Sequence, residues 1–118
     1  MNTDLPLYKQ IIIGLENDIL AGTLPPGQRI PSIRELAAQY QVNPNTAQRA
    51  VQEMKYAGLL TSPRGKGTLV TNDADFICRF RQKRGEELVH SFIRQMEMLG
   101  YSHEQVKALS LAKICDDG

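Results

Sequence analysis

Histidine and cysteine are scarce in this 118-residue chain, two of each, and that scarcity removes most of the chemistry a small protein can carry. Cys78 and Cys115 lie far apart with no secretory leader ahead of them, which argues against a disulfide framework or a paired-cysteine zinc site and for reduced thiols. His90 and His103 stand at no metal-ligand spacing from either cysteine, and neither Gly-x-Ser-x-Gly nor His-Glu-x-x-His occurs. An enzyme is therefore not expected. No stretch approaches the roughly 18 apolar residues needed to cross a bilayer, and the N-terminal residues lack the basic flank and apolar run of a signal peptide. The expected location is the cytoplasm. Charge of one sign is also missing, since 14 Lys and Arg against 13 Asp and Glu leave a net charge of +1. Such a balance neither recommends nor excludes nucleic acid, because recognition depends on where the charge sits. Internal repeats and low-complexity segments are absent.

What remains is an ordinary globular composition, 42% hydrophobic and 23% charged, long enough for one domain or a small domain with an appendage. Leu7, Tyr8, Ile11, Ile12, Leu15 and Ile19 fall on one face of a helix that starts near Pro6 and stops at Gly22, with Gly14 on its flank. Pro-Pro-Gly and Arg-Ile-Pro then mark a turn and a short extended piece up to Pro31. The sequence Ser32-Ile-Arg-Glu35 is a capping box opening a second helix that ends around Tyr40 and Gln41, and Asn43-Pro44 opens a third that runs to about Ala57. The short link between them is a helix-turn-helix connection. Gly58 suits the left-handed close of the third helix. Residues 59–61 and 68–71 read as strands of a hairpin around Ser-Pro-Arg-Gly-Lys-Gly. From Asp73 a long helix is expected, with Ile77, Phe80, Leu88, Phe92, Met96 and Leu99 as its apolar stripe and Gly85 as a candidate bend. Gly100 ends it, and a Ser102–Gln105 capping box opens a last helix over 103–114. The fold class is mainly α with a small β-hairpin: a winged helix-turn-helix over residues 1–72, then a C-terminal helical region over 73–118.

The third helix carries the most informative chemistry. Ala47, Ala50, Val51 and Met54 follow core spacing, which places Asn45, Gln48, Arg49 and Gln52 on the opposite face. Asn and Gln can bond bidentately to adenine and Arg to guanine in a major groove, and free N–H groups at a helix start suit phosphate. A merely solvated face is the competing reading, weakened by the position of this face on the second helix of a helix-turn-helix. Arg64-Gly65-Lys66-Gly67 at the hairpin tip offers two cations where glycine permits close approach, although basic turns are common on surfaces and no P-loop pattern is present. Arg34 opposes the dipole of the second helix, so it has either Glu35 as a neighbour or a phosphate to bind, with Ser32 able to join it. Arg79, Arg81, Lys83 and Arg84 read as a solvated helix face, with flanking phosphate or a partner subunit as rivals.

Several spaced motifs now coincide: Leu7-Tyr8-x-Gln10-Ile11, Gly22-x-Leu24-Pro25-Pro26-Gly27, Pro31-Ser32-x-Arg34-Glu35-Leu36-Ala37, Val42-Asn43-Pro44-Asn45-Thr46 and Gly65-Lys66-Gly67-Thr68-x-Val70. In this order, across residues 5–71, they resemble the GntR family of bacterial transcription regulators, and the Asn-Pro-Asn-Thr helix start with a short tail is similar to its YtrA subfamily. The resemblance implies a cytoplasmic repressor that dimerises through its C-terminal helices on a palindromic operator, often near ABC transporter genes, with a small-molecule effector as a further possible partner. It implies phosphate binding by Arg34 and minor-groove approach by Gly65 and Gly67. The residues expected to meet DNA are then Tyr8, Ser32, Arg34, Asn43, Asn45, Thr46, Gln48, Arg49, Arg64, Gly65, Lys66 and Gly67. Dimerisation falls to Ile77, Phe80, Leu88, Phe92, Met96 and Leu99. Relatives with arginines where this chain has Pro44 and Gln48 cannot lend it their base contacts. The short tail also lacks the Asp/His ligand set of relatives with larger domains, so neither metal nor cofactor is implied. A winged-helix module that binds protein instead of DNA is the alternative, and it would show no salt-dependent binding to DNA.

Overall fold

Helix-forming periodicity, capping and glycine stops set the order of elements in the computed structural model, which describes residues 5–117. Helix α1 (Leu7–Ala21) is closed by Gly22 at φ +88°. Its apolar stripe narrows in the structure. Ile11, Leu15 and Ile19 are buried, whereas Leu7, the first helical residue, stays 54% exposed.

Helix α2 (Ile33–Tyr40) begins with the expected reciprocal cap: the Glu35 N–H donates to Ser32 Oγ (3.1 Å) and the Ser32 N–H donates to Glu35 Oε1 (3.0 Å). Helix α3 (Pro44–Ala57) has Asn43 as its N-cap, and Gly58 ends it at φ +94°. Packing follows from pattern. Ala47, Ala50, Val51 and Met54 on α3 are buried together with Leu36 and Ala37 of α2 and the α1 stripe, and α3 contacts both earlier helices. Small alanines on the inner face let the helices approach; larger residues there would overpack the core.

The hairpin is shorter than its sequence suggests. Strands β1 (Leu60–Thr61) and β2 (Leu69–Val70) pair antiparallel, Leu60 opposite Val70 and Thr61 opposite Leu69. Leu59 is lost to the ladder at its N–H, which donates to the Met54 carbonyl (3.1 Å) and so still belongs to the end of α3. Thr68 gives its carbonyl to the Ile30 N–H (2.9 Å), on the side of the strand away from β1. The Val70 N–H in turn donates to the Gln28 carbonyl (2.8 Å), and Arg29 forms an isolated antiparallel bridge with Leu69. The extended piece before α2 thus lies along the outer edge of β2.

Helix α4 (Ala74–Met98) is continuous through Gly85, and helix α5 (His103–Asp117) runs past the expected end at 114. Contacts divide the chain into two compact units, and the division falls inside α4, between Arg79 and Phe80. In the first unit, Asp73 Oδ1 accepts from the Phe76 N–H (3.0 Å), Ile77 is only 7% exposed, and the Phe76 ring lies over Gly58, where a Cβ would meet it at 3.1 Å. The second unit comprises the rest of α4 with α5, which opens on a reciprocal Ser102–Gln105 cap. Val106 is buried there, and an apolar groove of about 620 Å³ runs beside it, lined by Val89, Phe92, Ile93, Leu111 and Ile114 among others.

Candidate nucleic-acid interface

One face of the first unit gathers most of the polar side chains singled out above. Asn45, Gln48, Arg49 and Gln52 are all exposed on α3, opposite its four buried residues. Tyr56 continues that face at 97% exposure.

The start of α3 differs from what the sequence suggests. Pro44 has no N–H, Asn43 Oδ1 accepts from the Asn45 N–H (2.8 Å), and the Thr46 N–H donates to the Asn43 carbonyl (2.9 Å). An anion therefore finds no open amide there. Asn43 is occupied as a cap, and Thr46 is half-buried. Helix α2 is different. Among the described residues, no acceptor meets the N–H groups of Ile33 and Arg34. Arg34 is exposed, and Glu35, its candidate partner, has its carboxylate turned back to the Ser32 N–H. That bond, then the Ser32 hydroxyl, hold the Glu35 carboxyl below its ordinary range, with a smaller contribution from the charge of Arg29. Ser32 Oγ accepts from the Glu35 N–H, so the hydroxyl and the carboxylate are engaged with one another across the cap.

Tyr8 reaches this face from α1. Its ring lies 3.8 Å beneath the Arg49 guanidinium carbon, a cation–π contact, while Arg49 Nε stands 3.9 Å from Glu53 Oε1. Both partners of that ion pair are exposed, so the ring, not the carboxylate, is the better-defined restraint on the guanidinium. Sequence spacing assigns Tyr8 to the apolar stripe of α1 and contains no signal for a partner 41 positions later.

The wing is tied back to α3. Lys55 Nζ donates to Ser62 Oγ (3.2 Å), and Ser62 Oγ shares a hydrogen bond with Thr68 Oγ1 (3.3 Å) across the base of the hairpin. Arg64, Gly65 and Lys66 are exposed at the tip. The two wing glycines part company. Gly65, at φ +78°, has open space where a side chain would point, whereas Gly67, at φ +74°, lies under the side chain of Arg29. Arg29 was not among the residues expected from sequence. It stands in what reads as a turn, and only the pairing of that turn with β2 brings it to the wing.

The six apolar positions expected to serve dimerisation differ in exposure. Ile77 is spent on the core of the first unit, Phe80 and Met96 are half-buried, and Leu88, Phe92 and Leu99 are exposed. No group of three His, Cys, Asp or Glu among the described residues could hold a metal ion, and no described helix is long and apolar enough to cross a membrane.

Three helices, a short turn between the last two and a hairpin braced against the third define a winged helix-turn-helix. Residues 7–70 match the family of bacterial regulatory proteins named gntR, and the chain belongs to that GntR family. It is 36% identical to the HTH-type transcriptional regulator YhcF of Bacillus subtilis over 86% of this chain and 84% of the relative. With the HTH-type transcriptional repressor YtrA of the same organism it shares 39% identity over 58% of this chain, but only 53% of that protein is covered. Among solved structures, a GntR family transcriptional regulator from Listeria monocytogenes superposes with a TM-score of 0.87 at 32% identity, covering 95% of this chain and 98% of the other. The DNA-binding domain of AraR in complex with operator ORX1 matches with a TM-score of 0.56 at 34% identity, over 60% of this chain and 86% of that one. The protein is thus a GntR-type helix-turn-helix transcription regulator and not an enzyme.

Proposed function

We propose that the protein is a dimeric repressor that binds a palindromic operator, with α3 in the major groove and the β1–β2 wing on the flanking minor groove. The observation that carries this reading is the exposed Asn45–Gln48–Arg49–Gln52 face of α3, set beside a wing whose cations are unscreened by any buried contact. Repression is supported by likeness to YtrA, named a repressor, and operator binding by likeness to AraR, whose domain is seen on one. Control of ABC transporter genes rests on the same YtrA resemblance. Dimerisation is assigned to the exposed apolar positions of the second unit. Two recognition helices related by a twofold axis would then enter successive major grooves roughly 34 Å apart. An effector acts, on this reading, by binding the two dimer states unequally.

Roles divide by chemistry. Arg34 with the Ile33 and Arg34 amides, Ser32, Arg64 and Lys66 hold phosphates, Gly65 gives the wing tip its close approach, and Asn45, Gln48 and Arg49 read base edges. Asn43 and Thr46 shape the start of α3, and Tyr8 works through Arg49 by fixing the plane of its guanidinium.

The test is binding to a duplex carrying the protein's own promoter region, titrated with salt against a scrambled duplex. Tight, salt-sensitive preference for the promoter is expected. Arg34→Gln and Lys66→Gln should weaken binding to both duplexes and reduce the salt slope by about 1 each. Gln48→Ala and Arg49→Ala should instead relax preference at particular base pairs, by about 1–3 kcal/mol where the contact is bidentate. Identical behaviour of the two sets would defeat the docking.

A finer expectation concerns Tyr8. Tyr8→Leu should cut the promoter preference about two- to fivefold, the value of one exposed cation–π contact, while Tyr8→Phe keeps it. An equal loss from both variants would mean that the hydroxyl, not the ring under Arg49, is what matters.

A further inference from the structure

The wing carries a cation that does not come from the wing. Arg29 lies in the segment before α2, where its backbone bridges to Leu69 and its neighbours Gln28 and Ile30 bond to Val70 and Thr68. These pairings fix the residue along β2. Its side chain then crosses the hairpin backbone at Gly67: a Cβ built on that glycine would come within 2.9 Å of Arg29 Nε and 3.3 Å of both Cζ and Nη2. Gly67 takes a φ of +74°, which disfavours any L side chain, and a side chain there would also have to displace the end of the Arg29 side chain.

Arg29 is exposed, and among the described residues no carboxylate lies within ion-pair distance of it. It is close enough to the first turn of α2 for its charge to act on Glu35. A guanidinium that rests against the wing backbone on one side and is otherwise exposed can meet an anion without leaving that contact. Arg29 thus touches the wing at Gly67 while its charge reaches Glu35 in the first turn of α2.

We propose that Arg29 is a DNA phosphate contact in its own right, held in position by Gly67, so that α2 and the wing grip one continuous stretch of backbone. This rests on the DNA-binding reading above. It assigns Gly67 a role distinct from that of Gly65. Gly65 leaves room for DNA, whereas Gly67 leaves room for Arg29.

The experiment is the same salt titration, on the promoter duplex and the scrambled one, with Arg29→Gln, Arg29→Lys, Gly67→Ala and the Arg29→Gln/Gly67→Ala double variant. Melting of each free protein is followed in parallel. Arg29→Gln should weaken binding to both duplexes roughly tenfold at about 0.1 M salt and flatten the slope by about one counterion, with little change in melting temperature. Arg29→Lys, which keeps the charge, should restore the slope. Gly67→Ala should weaken binding more in the natural protein than in the Arg29→Gln background, where only the strain of a side chain at φ +74° remains. The proposal is overturned if Arg29→Gln binds with the natural affinity and slope. It is equally overturned if the variant loses affinity only in step with a lowered melting temperature, since the arginine would then be packing for the wing alone. Additive losses from Arg29→Gln and Gly67→Ala would break the link between the two residues. Failure of the natural protein to show salt-dependent binding to either duplex is a separate result, and it would strike the DNA-binding reading itself.

Discussion

Leu88→Glu is expected to leave the chain folded, to convert the proposed dimer to monomer and to weaken binding to the proposed operator by about 10²–10⁴, the advantage that joining two half-site readers confers. Leu88 is 68% exposed on α4, so within one chain a glutamate there meets water and costs almost nothing. Across an apolar interface the same carboxylate would lose its hydration without a partner. The effect is thus confined to association. Sedimentation or light scattering would report the oligomeric state, circular dichroism the helix content, and the promoter titration the affinity. A variant that remains dimeric with natural affinity would remove Leu88 from the interface. Loss of helix content would show that the side chain serves the fold.

Leu36→Ala should produce the largest loss of stability of the substitutions considered. Leu36 is 1% exposed in α2, which packs against α3, and removing a buried leucine side chain costs about 2–5 kcal/mol when the neighbours cannot close the gap. For a domain of this size the midpoint of thermal unfolding should fall by roughly 15 °C. Leu36→Met, which keeps volume, should cost less than about 1.5 kcal/mol. Urea and thermal unfolding of the two variants decide the matter. A fall below about 5 °C for alanine would be incompatible with the packing described between α2 and α3.

Local chemistry was legible in the residues themselves. Ser32 with Glu35, Asn43 with Pro44, and Gly58 each act within a few positions of chain, and each was placed correctly because capping depends on its immediate neighbours. The two faces of α3 were also readable, since helical periodicity alone separates Ala47, Ala50, Val51 and Met54 from Asn45, Gln48 and Arg49. Contacts between distant segments were not. Nothing in the sequence announces that Tyr8 lies under Arg49 or that Arg29 crosses Gly67, because both depend on where tertiary packing carries each backbone. The stripe of α4 shows a related limit. Periodicity groups Ile77 with Leu88 and Leu99, but Ile77 is buried in the first unit while the other two face solvent. An apolar stripe records that a face is apolar and is silent about which neighbour covers it. Strand length escaped for a different reason: Leu59 and Thr68 have strand-compatible side chains, but the Leu59 N–H is claimed by α3, although its carbonyl accepts from the Thr71 N–H across the hairpin, and the Thr68 carbonyl is turned to Ile30.

The closure of Phe76 over Gly58 has a mechanical consequence. With Ile77 buried beside it and Asp73 capping the turn, α4 is moored at the last turn of the recognition helix, and the Asp73 N–H, donating to Thr71 Oγ1 (3.2 Å), ties its start to the residue after β2 as well. A twist or pull applied along α4 is therefore delivered to the C-terminal end of α3. A bulkier residue at position 58 would pry this joint open, slackening the linkage while leaving every side chain on the polar face in place.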